Sequence, residues 1–560
     1  MSRSLKWVSR GLMWLSGSLA VLLLVIAIAI PNSVQIATAL VSMLARQFES
    51  VGPNQDVTWS SGADPRERAQ EERPPNIVLI LADDLGWNDL TFNGGGVAGG
   101  TLPTPHINSI AAEGVNFTNG YAANGTCAPS RAALMSGRYG TRFGFEFTPT
   151  PPGMMQLGAL APTPAGRLRP NLGNPGAEVV AFDDMGMPAT EVTIAELLSE
   201  QGYHTVHIGK WHLGRANGMA PEDQGFDESL LMASGLYLPE DHPDVVNSKQ
   251  DFDGVDRFLW RMMRFAASFN GAAMFEPDGY LTDYYTQQAV EVIDANRERP
   301  FFLYLAHWAP HTPLQATRQD YEALSHIKLH RERVYAAMIR SLDRGVGQVL
   351  DALKRNGLEE NTLVLFTSDN GAAGYIGLPQ VNHPFRGWKG TFFEGGIRVP
   401  FFAKWPARIA AGTEVSAPVH HFDMYATAAA AAGAPLPDDR EIDGINLVPF
   451  ATDEGDGVPH DALFWRSGAS QSAIVDGWKL NVSDPPGRSW LFDLSADPTE
   501  QHDLSMKRPA KLAELLAAMA THNAEQAEPL WASQLSVPHN IDKDITRPDA
   551  PDDDYIYWSN

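Results

Sequence analysis

Two short runs of oxygen-bearing residues sit where strands should end. Asp83 and Asp84 lie just past the apolar run Asn76–Leu81 ("NIVLIL"), and Asp369, Asn370 and Gly371 follow another, Leu363–Thr367. Adjacent like charges repel unless a cation joins them. Three carboxylates and an amide offer only oxygen ligands, which select a hard divalent ion, Ca²⁺ or Mg²⁺, over zinc or copper. Either pair alone reads more simply as a turn or a helix cap. Two such pairs at strand carboxyl ends bring the metal reading level with the structural one. The third feature is Cys127, the single cysteine of the chain, within "NGTCAPSRAALMSGR". Pro129 suits the first turn of a helix, which places Cys127 at or just before its N-terminus. Arg131 follows about one turn later, and a helix N-terminus beside a guanidinium is an anion site. An isolated cysteine is otherwise an ordinary small buried hydrophobe.

The elements that must carry these residues read as a βαβ alternation. Asn76–Leu81, a continuous apolar run, predicts a strand covered on both faces. Helices are expected over Thr193–Gln201, Thr286–Asn296 and Arg331–Asn356, and strands over His204–Ile208, Phe301–Leu305 and Leu363–Thr367. This predicts an α/β, doubly wound, largely parallel sheet with its site at the strand carboxyl ends. Beyond Leu463 short strands ("ALFWR", "SAIVD", "KLNV", "WLFDL") follow one another, then a helix from Ala510 to about Ala524. They predict a smaller C-terminal subdomain, an antiparallel sheet plus helix. "NGGGVAGG" (Asn93–Gly100) lacks the lysine and spacing of a phosphate-binding loop.

Arg3, Lys6 and Arg10 precede about 20 apolar or small residues, Gly11 to Ile30, enough for a helix to cross a bilayer. An uncleaved membrane anchor is favoured over a signal peptide, and either places the bulk of the chain outside the cytoplasm, periplasmic or extracellular. The expected organisation is an anchor or signal segment over 1–49, a polar solvated linker over 50–75, a catalytic domain over 76–455, the C-terminal subdomain over 456–530, and an acidic tail over 531–560, irregular after Pro538. One cysteine excludes a disulfide framework and any multi-cysteine metal site. A formal charge of −25 argues against a general nucleic-acid binder.

The segment at Cys127 resembles the signature of the type I, formylglycine-dependent sulfatases of the alkaline phosphatase superfamily: Cys127, Pro129, Ser130 and Arg131, then Met135, Ser136, Gly137 and Arg138. Met135 stands where many members have leucine. The resemblance extends through "NIVLILADDLGWNDL" (Asn76–Leu90), "TPHINSIAAEGVNFTNGYA" (Thr104–Ala122), "GYHTVHIGKWHLG" (Gly202–Gly214), "FFLYLAHWAPHTPLQ" (Phe301–Gln315), "LFTSDNG" (Leu365–Gly371), "FRGWKGTFFEGGIRVPF" (Phe385–Phe401) and "LFDLSADPTEQHDLS" (Leu491–Ser505), in family order. It implies an arylsulfatase-like hydrolase with an alkaline-phosphatase-like fold, cleaving an aryl or carbohydrate sulfate ester. Cys127 would be converted to formylglycine by a formylglycine-generating enzyme. Asp83, Asp84, Asp369 and Asn370 would bind a divalent cation, usually Ca²⁺, with Mg²⁺ also fitting the donor set. Arg131 would stabilise the formylglycine hydrate, Lys210 would contact sulfate and His212 the diol. His311 would assist the leaving oxygen and Lys389 would hold a sulfate oxygen. Lys210 and His212 are two residues apart, so an extended segment would point both the same way.

Chemistry supports these residue types. Transfer of an SO₃ group develops charge on the equatorial and leaving oxygens, so a metal and fixed cations are needed there. A sulfated serine is hard to release, whereas a gem-diol keeps a second hydroxyl whose deprotonation expels sulfate. The alternative is a phosphonate monoester or phosphodiester hydrolase using the same modified cysteine. The leaving group would be read by variable loops, Phe145 to Thr190 and Leu236 to Ala273.

Overall fold

The computed structural model describes residues 50–69, 72–151, 167–172, 179–250, 253–452, 454–455 and 457–559. The expected anchor or signal segment, 1–49, and much of the Phe145 to Thr190 loop lie outside the described residues. No helix among the described residues is long and apolar enough to cross a membrane.

A nine-stranded mixed sheet organises the chain. Its centre is five parallel strands in the order Thr362–Ser368, Asn76–Ala82, Phe301–Ala306, His204–Gly209 and Glu228–Gly235. The reason is visible in Asn76–Ala82, where all seven residues are buried. Val78, Ile80 and Ala82 enter one hydrophobic cluster and Ile77, Leu79 and Leu81 the other. Side chains alternate across a strand, so the unbroken apolar run from Ile77 to Leu81 fits only a sheet covered on both faces. The helices Leu281–Ala295 and His330–Arg355 cover the first face, and Cys127–Ser136 and Phe422–Ala432 cover the second.

Register then places the chemistry. Leu81 pairs with Ala306, Ala306 with Gly209, and Ala82 with Ser368. Four strands therefore end at one level, and the residues that follow them, Asp83, His307, Lys210 and Asp369, emerge on the same edge.

Strands Ala462–Ser467, Ser470–Val475, Trp478–Ser483 and Arg488–Asp493 form an antiparallel sheet, on which the Pro509–Asn523 helix packs through Leu515 and Met519. Two expectations need correction. The 50–75 segment, exposed along most of its described residues, is nevertheless tied to the domain: Trp59 is buried, its indole donates to Gln288 Oε1 at 2.8 Å, and Gly52 and Ser60 bond to Met274 and Glu228. The tail is not irregular either. Leu535–Asn540 and Tyr555–Ser559 join Asn171–Leu172 in a three-stranded sheet that buries Ile556 and Trp558.

The subdomain docks through a buried charge cluster. Lys479 Nζ lies 2.7 Å from Glu394 Oε1 and 3.0 Å from Glu500 Oε1, with all three side chains out of solvent. Glu394 also pairs with Arg398 at 2.8 Å, and Asn481 donates to Glu500 at 3.2 Å. Burial, with the charge of Glu394, pushes Glu500 up to about 7 against the pull of Lys479. An acid raised in the folded state stabilises fully below its ordinary value of 4.5 and loses that contribution as pH rises through about 7. Glu500→Gln mimics the neutral acid. The variant is expected to match the parent in melting temperature near about pH 5 and to exceed it by about 1–3 kcal/mol of stability near about pH 8. Parallel melting curves across that range would refute this.

Candidate active site

Cys127 is the first residue of the Cys127–Ser136 helix, all ten residues of which are buried. Thr126 before it is extended, and Gly137 closes the helix in the left-handed region, at φ 71°. A Cβ at Gly137 would lie 2.4 Å from the Tyr425 ring, so only glycine fits this turn. The helix thus aims its positive end at the Cys127 side chain.

Around that sulfur the sheet edge delivers charges of both signs. Cys127 Sγ lies 3.6 Å from Asp83 Oδ1, 3.8 Å from Asp84 Oδ1 and 3.2 Å from Lys389 Nζ. Lys210 Nζ is 2.7 Å from Asp83 Oδ2, and Lys389 Nζ is 2.7 Å from Asp84 Oδ1. Arg131 is wholly buried and reaches back across the floor. It donates to Asp369 Oδ2 at 2.8 and 3.0 Å, to Asp83 Oδ2 at 3.0 Å, and to the Lys210 carbonyl at 2.9 Å. The resemblance gives Arg131 a place on the hydrate. Its close donors are here engaged with two carboxylates, so it also organises them.

The four expected cation ligands are brought together. Asp84 N donates to Asp369 Oδ1 at 3.2 Å and Asn370 Nδ2 donates to Asp84 Oδ1 at 2.7 Å. Ligand atoms of Asp83, Asp84, Cys127 and His311 all lie within 4.8 Å of one another. Asn370 Oδ1 is buried with no hydrogen-bond partner, an orphaned acceptor of the kind an ion satisfies. Three buried carboxylates balance three cations, Arg131, Lys210 and Lys389. A bound divalent ion would leave this pocket with excess positive charge, suited to an anion. The donor set and the orphaned oxygen therefore fit a hard divalent ion.

Electrostatics follow from burial and neighbours. Burial and the charge of Asp369 push Asp83 up to about 6. Burial also opposes ionisation of Asp84 and Asp369, but Lys389 and His311 hold the first down and Arg131 with Lys210 the second. Burial and Asp369 hold the Cys127 thiol far above its ordinary range. An unmodified cysteine here stays a thiol and is a poor nucleophile.

His311 has a defined tautomer. Its Nδ1 lies 2.6 Å from the Thr312 carbonyl, which only accepts, so Nδ1 carries the proton. Nε2 then presents a lone pair to Lys389 Nζ at 3.2 Å. Burial, with Lys389, brings His311 down to about 3. Its ring stacks on Trp308 at 3.9 Å, and Tyr237 Oη donates to the carbonyls of Trp308 and His311. Trp308 also lies 4.6 Å beneath Lys210 Nζ.

The segment carrying Lys210 and His212 is not extended. His212 has φ 66°, a left-handed conformation unusual for a non-glycine residue, and so does Asp84 at φ 60°. His212 Nδ1 is buried without a partner. Burial, and then Lys210 and Arg131, hold this ring well below its usual range. Residues not singled out in the sequence also complete the site. His421 bridges Ser130 and Thr367 beneath it, Tyr304 Oη lies 3.5 Å from Arg131, and Tyr375 donates to Asp84. Tyr304 lies within the Phe301–Leu305 strand run, where nothing in the spacing marks it as a site residue, and His421 and Tyr375 lie outside the quoted runs.

This geometry can be set beside known proteins. The sulfatase family model matches residues 75–434. The chain belongs to the sulfatase family. Mouse N-acetylgalactosamine-6-sulfatase is 36% identical over 419 residues, covering 73% of this chain and 72% of the mouse protein. Mouse steryl-sulfatase is 31% identical over 552 residues, with 82% of each chain covered. The crystal structure of Ps i-CgsB in complex with k-i-k-neocarrahexaose superposes with a TM-score of 0.67 at 32% identity, over 82% of this chain and 95% of that one. This sulfatase is therefore a sulfate ester hydrolase of the alkaline phosphatase superfamily, and its mostly parallel nine-stranded sheet with a smaller antiparallel one is the expected architecture.

Proposed function

We propose that this sulfatase removes sulfate from a carbohydrate, using a formylglycine made from Cys127 and a calcium ion held by Asp83, Asp84, Asp369 and Asn370. The observation that carries the reading is the setting of Cys127: the first side chain of a buried helix, 3.2 Å from Lys389 and 3.6 Å from Asp83, where burial disfavours the thiolate. Formylglycine supplies a hydrated aldehyde with one hydroxyl to attack sulfur and a second to release sulfate. The ion supplies Lewis-acid polarisation of an oxygen on sulfur. The chain does the rest. Lys210 and Lys389 stand on either side of the carboxylates, where they can meet the charged sulfate oxygens. Arg131 bridges Asp83 and Asp369 through Nη2 and neutralises them. His311, held by Trp308 and the Thr312 carbonyl, directs Nε2 into the pocket, where the charge of a bound sulfate ester favours taking the proton that the leaving oxygen needs. His212 is the complementary base.

A carbohydrate leaving group is supported by the names of two relatives, N-acetylgalactosamine-6-sulfatase and the neocarrahexaose complex. No observation favours the phosphonate or phosphodiester alternative. Export, with anchoring by residues 11–30, rests on the basic start and apolar run of the sequence, and maturation by a formylglycine-generating enzyme on the run from Cys127 to Arg138.

The test is a panel of sugar sulfates, a steryl sulfate, an aryl sulfate and an aryl phosphonate, assayed on matured protein with calcium. Sulfate release is expected to be fastest from a sugar sulfate, and a faster phosphonate reaction would reverse the assignment. Chelation is expected to abolish turnover and added Ca²⁺ to restore it. Full activity in chelator would exclude the metal role.

A further inference from the structure

We propose that Tyr375 is a positioning residue of this site, fixing the carboxylate of Asp84 through its hydroxyl; this rests on the reading of Asp84 as a cation ligand. Tyr375 lies in a single turn, Gly374–Ile376, five residues past Asn370. Its Oη donates to Asp84 Oδ2 at 3.2 Å. Asp84 is the ligand in most need of restraint, because its own backbone is in the left-handed region. Asn370 Nδ2 restrains Oδ1 at 2.7 Å, and Lys389 Nζ touches both oxygens at 2.7 and 2.9 Å. Lys389, however, is the cation expected to engage sulfate. When it does so, Tyr375 remains as the neutral donor to Oδ2, and a neutral donor orients a ligand without competing for its charge.

The turn that presents Tyr375 is braced by residues far away in sequence. The Ile545 amide donates to the Gly374 carbonyl at 3.2 Å, and Arg331 donates to the Gly377 carbonyl at 3.0 Å. Trp388 packs so closely that a Cβ on Gly374 would lie 3.0 Å from its ring. Ile545 lies in the loop between the two tail strands, whose Trp558 packs edge-on against Phe392 at 4.8 Å. In the same loop Asp542, and next to the second strand Asp554, clamp Arg386, three residues before Lys389. One C-terminal structure thus holds both the Tyr375 turn and the Lys389 loop against Asp84.

Tyr375→Phe deletes only the hydroxyl from a half-buried side chain. Calcium binding by the full chain, measured by titration calorimetry, is expected to weaken about tenfold. The melting temperature without calcium should stay unchanged, and kcat should fall more than KM changes. A calcium affinity within twofold of the parent's would overturn the proposal. So would a drop in ion-free melting temperature that accounts for the loss, since that marks a merely structural side chain. If the parent itself binds no calcium, the ligand reading of Asp84 fails first, which is a different result from equal binding by parent and variant.

Discussion

Cys127→Ala is expected to lower kcat/KM on any sulfate ester by about four orders of magnitude or more, because the nucleophile disappears while the pocket remains. The Cys127 side chain is buried but small, and alanine leaves its two carboxylates and Lys389 paired as before. Stability should therefore change by no more than about 1 kcal/mol. Cys127→Ser separates two explanations: it keeps a hydroxyl at the same place, and slow or stalled turnover is expected because a sulfated serine has no second hydroxyl to expel sulfate. Peptide mass spectrometry of the parent, made alongside the maturing enzyme, should show the Cys127 peptide as the aldehyde or its hydrate. Undiminished activity of Cys127→Ala, or only unmodified cysteine in a fully active parent, would end the formylglycine reading.

Arg131→Met is the second large effect, and it is expected in both activity and stability. The guanidinium touches Asp369 and Asp83 at 2.8 and 3.0 Å with no exposure on any of the three beyond 1%. Removing it leaves three buried carboxylates facing two lysines. Uncompensated buried charge of this kind costs about 3–5 kcal/mol. Calcium should return part of that stability, because it supplies the missing positive charge, and the calcium-dependent rise in melting temperature should be larger in the variant than in the parent. Activity is expected to stay below about 1% even in saturating calcium, as the carboxylates lose their fixed spacing. A variant as stable as the parent without calcium would show that Arg131 does not neutralise the floor of the site.

Much of this site was legible before any fold was known. The strand Asn76–Ala82 belongs in a covered sheet because Ile77 to Leu81 is an unbroken apolar run, and Asp83 and Asp84 follow it. The Cys127 helix could be oriented from Pro129 alone. Other features were hidden for identifiable reasons. The acidic composition of the tail predicts irregular chain, yet Asp542, Asp554 and Asp549 meet Arg386 and Arg167, cations far away in sequence. Its alternation of Ile556 and Trp558, both buried, was a strand signal outweighed by the surrounding charge. Trp59 was similarly masked by polar neighbours in the 50–75 segment. His212 was expected in an extended segment because i and i+2 residues share a side in a strand, but the strand ends at Gly209, three residues too soon.

By itself, then, the amino-acid sequence determined the sheet class, the Cys127 helix, the placing of paired oxygen-bearing residues at strand ends and the family, because each is written in local runs of residue type. Tertiary structure decided what depends on distance between segments. It paired Lys389 with Asp84, set His311 Nε2 against Lys389, and brought Tyr375 and the C-terminal strands to the site. Those choices arise from parallel strands ending at one level and from buried charges seeking partners wherever the chain supplies them, and neither leaves a mark in sequence spacing.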